Sequence, residues 1–240
     1  LLLSFLPRTQ APSMSKSTET TPVHERQSSD FPRLSFQGDV KALQIASDLH
    51  IEFYGTFQAI PDDIIVPASP ILALIGDIGL ACTDLLEQFL LHQASHFEHV
   101  LLIAGNHEFY NGSARNTVDK QLKWIQNVCD KRSNLHFMHN KGVYVGENLI
   151  LGTSLWSHIP DSVYTQAQFG LNDYHQTLVR EEDGSIRKLT PSDTNAWHKR
   201  DVEWLSKELE AAKTRPETVI VLTHHTPLMK GTSAPQYYGD

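Results

Sequence analysis

Five short apolar runs constrain this chain more than any other feature: "ALQIA" (42–46), "PILALIG" (70–76), "HVLLIAG" (99–105), "NLILGTSLW" (148–156) and "TVIVLT" (218–223). Their length and β-branched content suit strands buried on both faces. Between them, apolar residues recur at helical spacing. Leu85, Leu86, Phe89 and Leu90 form one such pattern, Val118, Leu122, Ile125 and Val128 the next. A third runs through Trp197, Val202, Leu205 and Leu209, with Ser192 or Asp193 as the expected N-cap after Pro191. Strand and helix alternate, so the chain belongs to the α/β class. "YVGENLI" (144–150) adds a tight hairpin around Gly146 to Asn148, which makes the expected architecture mixed rather than purely parallel.

The 240 residues, 40% of them hydrophobic, suffice for one sizeable domain. Residues 7–39 are rich in Ser, Thr, Pro, Gln and charge and lack apolar periodicity, so residues 1–39 are expected to form a disordered leader ahead of a domain spanning 40–240. "LLLSFL" at the start is short for a signal-peptide core and far too short to span a bilayer, so no membrane association is expected. Cys82 and Cys129 build no disulfide framework, which fits a reducing, cytoplasmic setting. With 20 basic against 28 acidic residues the formal charge is -8, which argues against nucleic acid as a partner.

In open α/β sheets ligands sit beyond the carboxyl ends of the strands, so the residues just after each apolar run carry the most information. They are rich in metal-binding types. "SDLH" puts Asp48 and His50 on one side of an extended segment; Gly76-Asp77 follows the second run. "GNHE" supplies Gly105, Asn106, His107 and Glu108, and "THHTP" supplies His224 and His225. Any one of these is a common turn or surface pattern. Together, and with equal intervals from Asp48 to Asp77 and from Asp77 to Asn106, they point to neighbouring strand tips. Carboxylate, amide and imidazole donors suit Mn, Fe or Zn better than Ca.

The ordered set Asp-x-His, Gly-Asp, Gly-Asn-His-Glu and Thr-His-His resembles the calcineurin-like metallophosphoesterases over roughly residues 42–230. That resemblance implies a four-layer sandwich, two mixed β-sheets between helical layers, and two divalent metal ions that activate a bridging hydroxide for phosphoester hydrolysis. By position, Asp48 and His50 would hold the first metal, Asn106 and His224 the second, and Asp77 would bridge both. His107 would contact the phosphate and protonate the leaving oxygen, Glu108 would tie the loop, and His225 would be no ligand. Two departures stand out. Leu80 occupies the position where many relatives carry an aspartate that orients the histidine matching His107, leaving Asp84 or a residue from elsewhere to substitute. No histidine follows His225 before Asp240, so the family's Gly-His-x-His segment is not matched; each metal would lack one ligand and the closing strands of one sheet are expected to be missing.

The first functional reading is therefore a dinuclear metallophosphoesterase, with manganese among the candidate ions and a phosphorylated small molecule or protein as substrate. The second is a non-catalytic scaffold or inactive fragment of that fold that binds a protein partner, favoured by Leu80 and the unmatched histidines. Residues 157–192 read as a long polar connection, either functional or a surface excursion. Trp156, His158, Asn172, Asp173 and Tyr174 around it either line a substrate pocket or serve as core packing and a solvated turn.

Overall fold

A computed structural model describes residues 31–37, 42–110, 116–215 and 218–228. In chain order the strands are β1 (Arg33–Leu34), β2 (Gln44–Ala46), β3 (Ile71–Ile75), β4 (His99–Ile103), β5 (Leu135–Phe137), β6 (Lys141–Val145), β7 (Asn148–Thr153), β8 (Leu178–Arg180), β9 (Ile186–Lys188) and β10 (Thr218–Thr223). The helices are α1 (Asp84–His96), α2 (Val118–Cys129), α3 (Tyr164–Gly170), α4 (Asp173–Gln176) and α5 (Pro191–Ala212).

Two four-stranded sheets stack face to face. The first, in the order β2-β3-β4-β5, is parallel throughout, because each of its strands is reached by a crossover that returns the chain to the same end. The second, β1-β6-β7-β10, is mixed: the two-residue turn at Gly146-Glu147 makes β6 and β7 antiparallel, with Val145 opposite Asn148. Gly146 enters that turn at φ +58, a conformation glycine adopts without steric cost.

β3 is buried at every position, as its uninterrupted apolar sequence requires, and its two faces feed different cores. Leu72 and Leu74, with Val100 and Leu102, pack on Leu86, Phe89 and Leu90 of α1 and on Ile125 and Val128 of α2. Ile71, Ala73 and Ile75, with Leu101 and Ile103, meet Val143, Val145, Ile150 and Leu222 of the other sheet. The far side of that sheet, through Tyr144, Leu149 and Leu151, is covered by Leu205, Leu209 and Ala212 of α5. Helix, sheet, sheet, helix: the four-layer sandwich is present, with its mixed character confined to one sheet.

Three local expectations change. Residues 31–37, assigned by composition to a disordered leader, include β1, which pairs in parallel with β6 at Arg33–Tyr144 and Leu34–Val145; residues 1–30 lie outside the described residues. The N-cap of α5 is Thr190, one residue before the proline, not Ser192 or Asp193. Pro191 sits in the first turn, where its missing N–H costs nothing, and Asp193 closes a capping box on Thr190. The segment 157–192 is not a bare loop: it holds α3, α4 and the β8–β9 hairpin, and it buries Tyr174, Val179 and Leu189.

Candidate metal centre

Parallel alignment of β2, β3 and β4 brings their C-terminal tips together, and with them Asp48 and His50, Asp77, and Asn106 and His107. The chain turns sharply there. Asp48, His50 and Asp77 all have left-handed backbone, with φ of 55, 46 and 54. Main-chain bonds lock the first two tips together: the Asp48 N–H donates to Gly76 O at 3.1 Å, and the His50 N–H to Asp77 O at 3.0 Å. From the second sheet, the end of β10 delivers His224, whose Nδ1 meets Ile75 O at 3.0 Å.

Glu108 underpins the assembly. Its fully buried carboxylate accepts the backbone N–H groups of Asp77 (3.0 Å), Ile78 (2.8 Å), Gly79 (3.4 Å) and Gly105 (2.6 Å). One side chain thus holds the tip of β3 against the tip of β4. Burial pushes its carboxyl above the ordinary range, and the charge of Asp77 adds to the shift. Space between the tips is equally restricted: a Cβ on Gly105 would lie 2.3 Å from Asp77 Oδ1, and one on Gly76 would lie 2.2 Å from His224 Nδ1.

Two donor groups meet at Asp77. On one side Asp48, His50 and Asp77 each offer one ligand atom within 4.8 Å of the others. On the other, His224 Nε2 lies 3.1 Å from Asn106 Oδ1 and 3.4 Å from Asp77 Oδ1. A carbonyl accepts the Nδ1–H of His224, which assigns the tautomer and leaves a lone pair on Nε2. The Asn106 amide is oriented the same way, because its Nδ2 donates to the Tyr110 hydroxyl at 3.0 Å and frees Oδ1. With His224 neutral, an imidazole, an amide oxygen and a carboxylate therefore present lone pairs to one place. This donor set fits a divalent metal on each side of Asp77.

Beside the donors stands His107. Its backbone N–H donates to Asp77 Oδ1 at 2.9 Å, and its Nδ1 lies 2.9 Å from Glu52 Oε1. The carboxylate missing at Leu80 is thus supplied by the short helix 51–54 after β2, not by Asp84, which opens α1. Burial alone would lower the His107 pKa, but the Glu52 hydrogen bond and the nearby Asp77 charge outweigh it and raise it. Glu52 responds in the opposite sense: burial raises it, and the hydrogen bonds from His107 and His50 bring it below the usual carboxylate range. Tyr110, ring to ring with His107 at 4.3 Å, is pushed up to about 12 by burial and by Asp173.

Of the pocket residues expected around 157–192, Asp173 alone reaches the centre, hydrogen-bonding toward Asn106 and Tyr110; burial raises its pKa, and Asp77 adds to that. Trp156 is core, stacked on His225 at 4.9 Å and edge-on to Trp197 at 5.5 Å. Tyr174 is buried with its hydroxyl on Thr194 Oγ1 at 3.1 Å, while His158 and Asn172 are exposed. His225 turns away from the donors: its Nδ1 faces Ser154 O at 3.3 Å, and burial, with the charge of His224, takes its pKa down to about 4. Sequence reasoning missed Glu52 and Tyr110. A carboxylate two residues beyond His50 was the available signal for the first; for the second nothing local separated it from a core aromatic.

Comparison with known proteins agrees with this geometry. An uncharacterized protein of Acanthamoeba polyphaga mimivirus is 27% identical over 215 residues, covering 84% of this chain and 73% of that protein. Among solved structures, the phosphopantetheinyl hydrolase of Mycobacterium tuberculosis shares the fold with a TM-score of 0.56 at 17% identity, over 81% of this chain and 73% of that one. The family model for calcineurin-like phosphoesterases matches residues 44–240, and the chain belongs to that family.

Proposed function

We propose that this chain hydrolyses phosphoesters at a dinuclear metal centre, with Asp48 and His50 holding one ion, Asn106 and His224 the other, and Asp77 shared between them. The observation that carries the reading is the position of Asp77, whose carboxylate borders both donor groups. Two divalent ions held there would supply a water nucleophile of lowered pKa, together with positive charge against the phosphate oxygens. The remaining work falls to the chain. Glu108 and the left-handed turns hold the donors at fixed separations, so little reorganisation is needed when substrate arrives. His107 stands next to the donors to contact the phosphate and give a proton to the leaving oxygen.

Mn, Fe and Zn all suit the donors, and a phosphorylated small molecule or protein is the proposed substrate class; the fold itself does not choose between them. The scaffold reading drew support from Leu80, and the Glu52 carboxylate 2.9 Å from His107 weakens that support. The test is to express the chain with manganese, count bound metal, and assay a panel of aryl phosphomonoesters, phosphodiesters and a phosphopeptide. Two ions per chain and turnover that Asp77→Ala abolishes are expected. Metal-free protein, or activity unchanged by Asp77→Ala, would sink the proposal.

A further inference from the structure

Away from the metal donors, α2, the β8–β9 hairpin and α5 form a cleft of about 310 Å³, a size within the range of small-molecule sites. Its apolar surface comes from Phe109, Val118, Leu122, Trp156, Val179 and Trp197. Three of these are rings set against one another. Phe109 stacks toward Trp156 with centroids 6.4 Å apart, and Trp156 meets Trp197 at 5.5 Å and 63°. A flat ring seated between the two indoles can stack on one and meet the other edge-on, the two arrangements that aromatic groups favour. None of the proposed metal ligands lines the cleft, although Trp156 also stacks on His225, the neighbour of His224.

The charged groups around these rings are already matched. Arg187 holds Asp193 through both terminal nitrogens, at 2.7 and 2.9 Å, and Glu181 through Nε. Arg180 Nε faces Asp119 at 3.5 Å. Arg200 holds Asp201, a fully buried carboxylate, at 2.9 and 3.1 Å. Each arginine of the lining therefore has its own carboxylate, and no carboxylate of the lining lacks an arginine. The remaining titratable group, His139, is kept uncharged at neutral pH by burial, which with the charge of Arg200 takes its pKa down to about 4. A ligand ion entering this cleft would shed water without finding an unengaged counter-charge, and that desolvation is costly. An uncharged ring loses no such hydration and gains the apolar contact.

We propose that the cleft is a second binding site, separate from the metal centre, and that it takes an uncharged planar aromatic molecule of bicyclic size. No metal donor takes part, so binding here is independent of whether the chain hydrolyses phosphoesters.

The experiment uses the full chain and three naphthalenes of one shape and different charge: 1-naphthalenemethanol, 1-naphthoate and 1-naphthylmethylammonium. The chain holds four tryptophans, and their indole N–H signals in a ¹H–¹⁵N spectrum, assigned by replacing each in turn with phenylalanine, report the site directly. 1-Naphthalenemethanol is expected to shift the signals of Trp156 and Trp197 saturably, with a Kd of about 0.1 to 1 mM, and to leave those of Trp124 and Trp204 in place. The two ions should bind at least about 10-fold more weakly. Leu122→Trp, which adds bulk to one wall, should abolish binding, and saturating zinc should not displace the probe.

Absence of a saturable shift at Trp156 and Trp197, equal shifts at all four indoles, or equal affinity for the charged analogues would overturn the proposal. So would displacement of the probe by zinc, which would put it at the metal centre, and undiminished binding in a folded Leu122→Trp chain.

Discussion

Glu108 lies beneath Asp77, its carboxylate taking the Asp77 backbone N–H at 3.0 Å while the same oxygen takes that of Gly105 at 2.6 Å. The residue proposed to touch both metals is thus held from below by a residue that touches neither. Glu108→Ala would strand buried backbone donors from both strand tips, and each stranded donor is costly. We expect it to lower the unfolding free energy by at least about 3 kcal/mol, read as a shift in urea midpoint, with Glu108→Gln intermediate. A midpoint equal to wild type would contradict the role.

Gly105 has no room for a side chain. A methyl group there would press on Asp77 Oδ1 at 2.3 Å and on the Asp77 backbone nitrogen at 2.7 Å, so the backbone of one tip must move. Gly105→Ala should weaken manganese binding by about 10-fold or more, measured by isothermal titration. Gly170→Ala, where nothing lies within 4 Å, is the control and should bind as wild type.

Tyr110 turns the Asn106 amide. Without its hydroxyl, 3.0 Å from Nδ2, Asn106 is free to flip and present a donor where a metal wants an acceptor. Tyr110→Phe is expected to raise the manganese Kd about 10-fold, so that a given metal concentration adds about 1.4 kcal/mol less stability than in wild type. Thermal melts with and without metal would show it, and equal metal-induced shifts in both proteins would rule it out.

Acid should unfold the metal-free chain through its buried imidazoles. His136 is taken down to about 4 by burial and by His99, and His139 to about 4 by burial and by Arg200. In the unfolded chain a histidine titrates near 6.5. Between those values the unfolded state binds protons that the folded state does not, so stability is intact above about pH 6.5 and falls as the pH drops toward about 4. His139→Gln should flatten that decline in urea titrations run across the window, and a wild-type midpoint independent of pH would refute the account.

The residues most legible in the sequence were those whose meaning is local. Asp48, Asp77 and Asn106 each follow an apolar run, and parallel pairing carries strand ends to one place without any need for side-chain detail. Glu52 was illegible because its partner, His107, is brought near by tertiary folding alone. Thr190 was missed because a proline draws the eye to the residue after it, although Pro tolerates the first helical turn and the cap then precedes it. In 157–192 the short elements α3, α4, β8 and β9 carry too few residues for a period to register, yet Leu189 and Thr177 are completely buried. The pairing of Arg33–Leu34 with β6 escaped notice for the same reason.

The positive backbone angles at Asp48, His50 and Asp77 carry a consequence for how this protein tolerates change. An ordinary side chain in that region costs on the order of 1 kcal/mol compared with glycine. Glycine at any of the three positions would relax the turn and delete a donor in the same stroke. A library of variants sorted for heat tolerance alone would therefore be drawn toward glycine at 48 and 50, deleting proposed ligands while its melting temperature rose, whereas at 77 the loss of the acceptor for the His107 N–H offsets the relief. On the proposed reading, the carboxylates and the imidazole at these strand ends stand there at the expense of stability, for the ions they would hold.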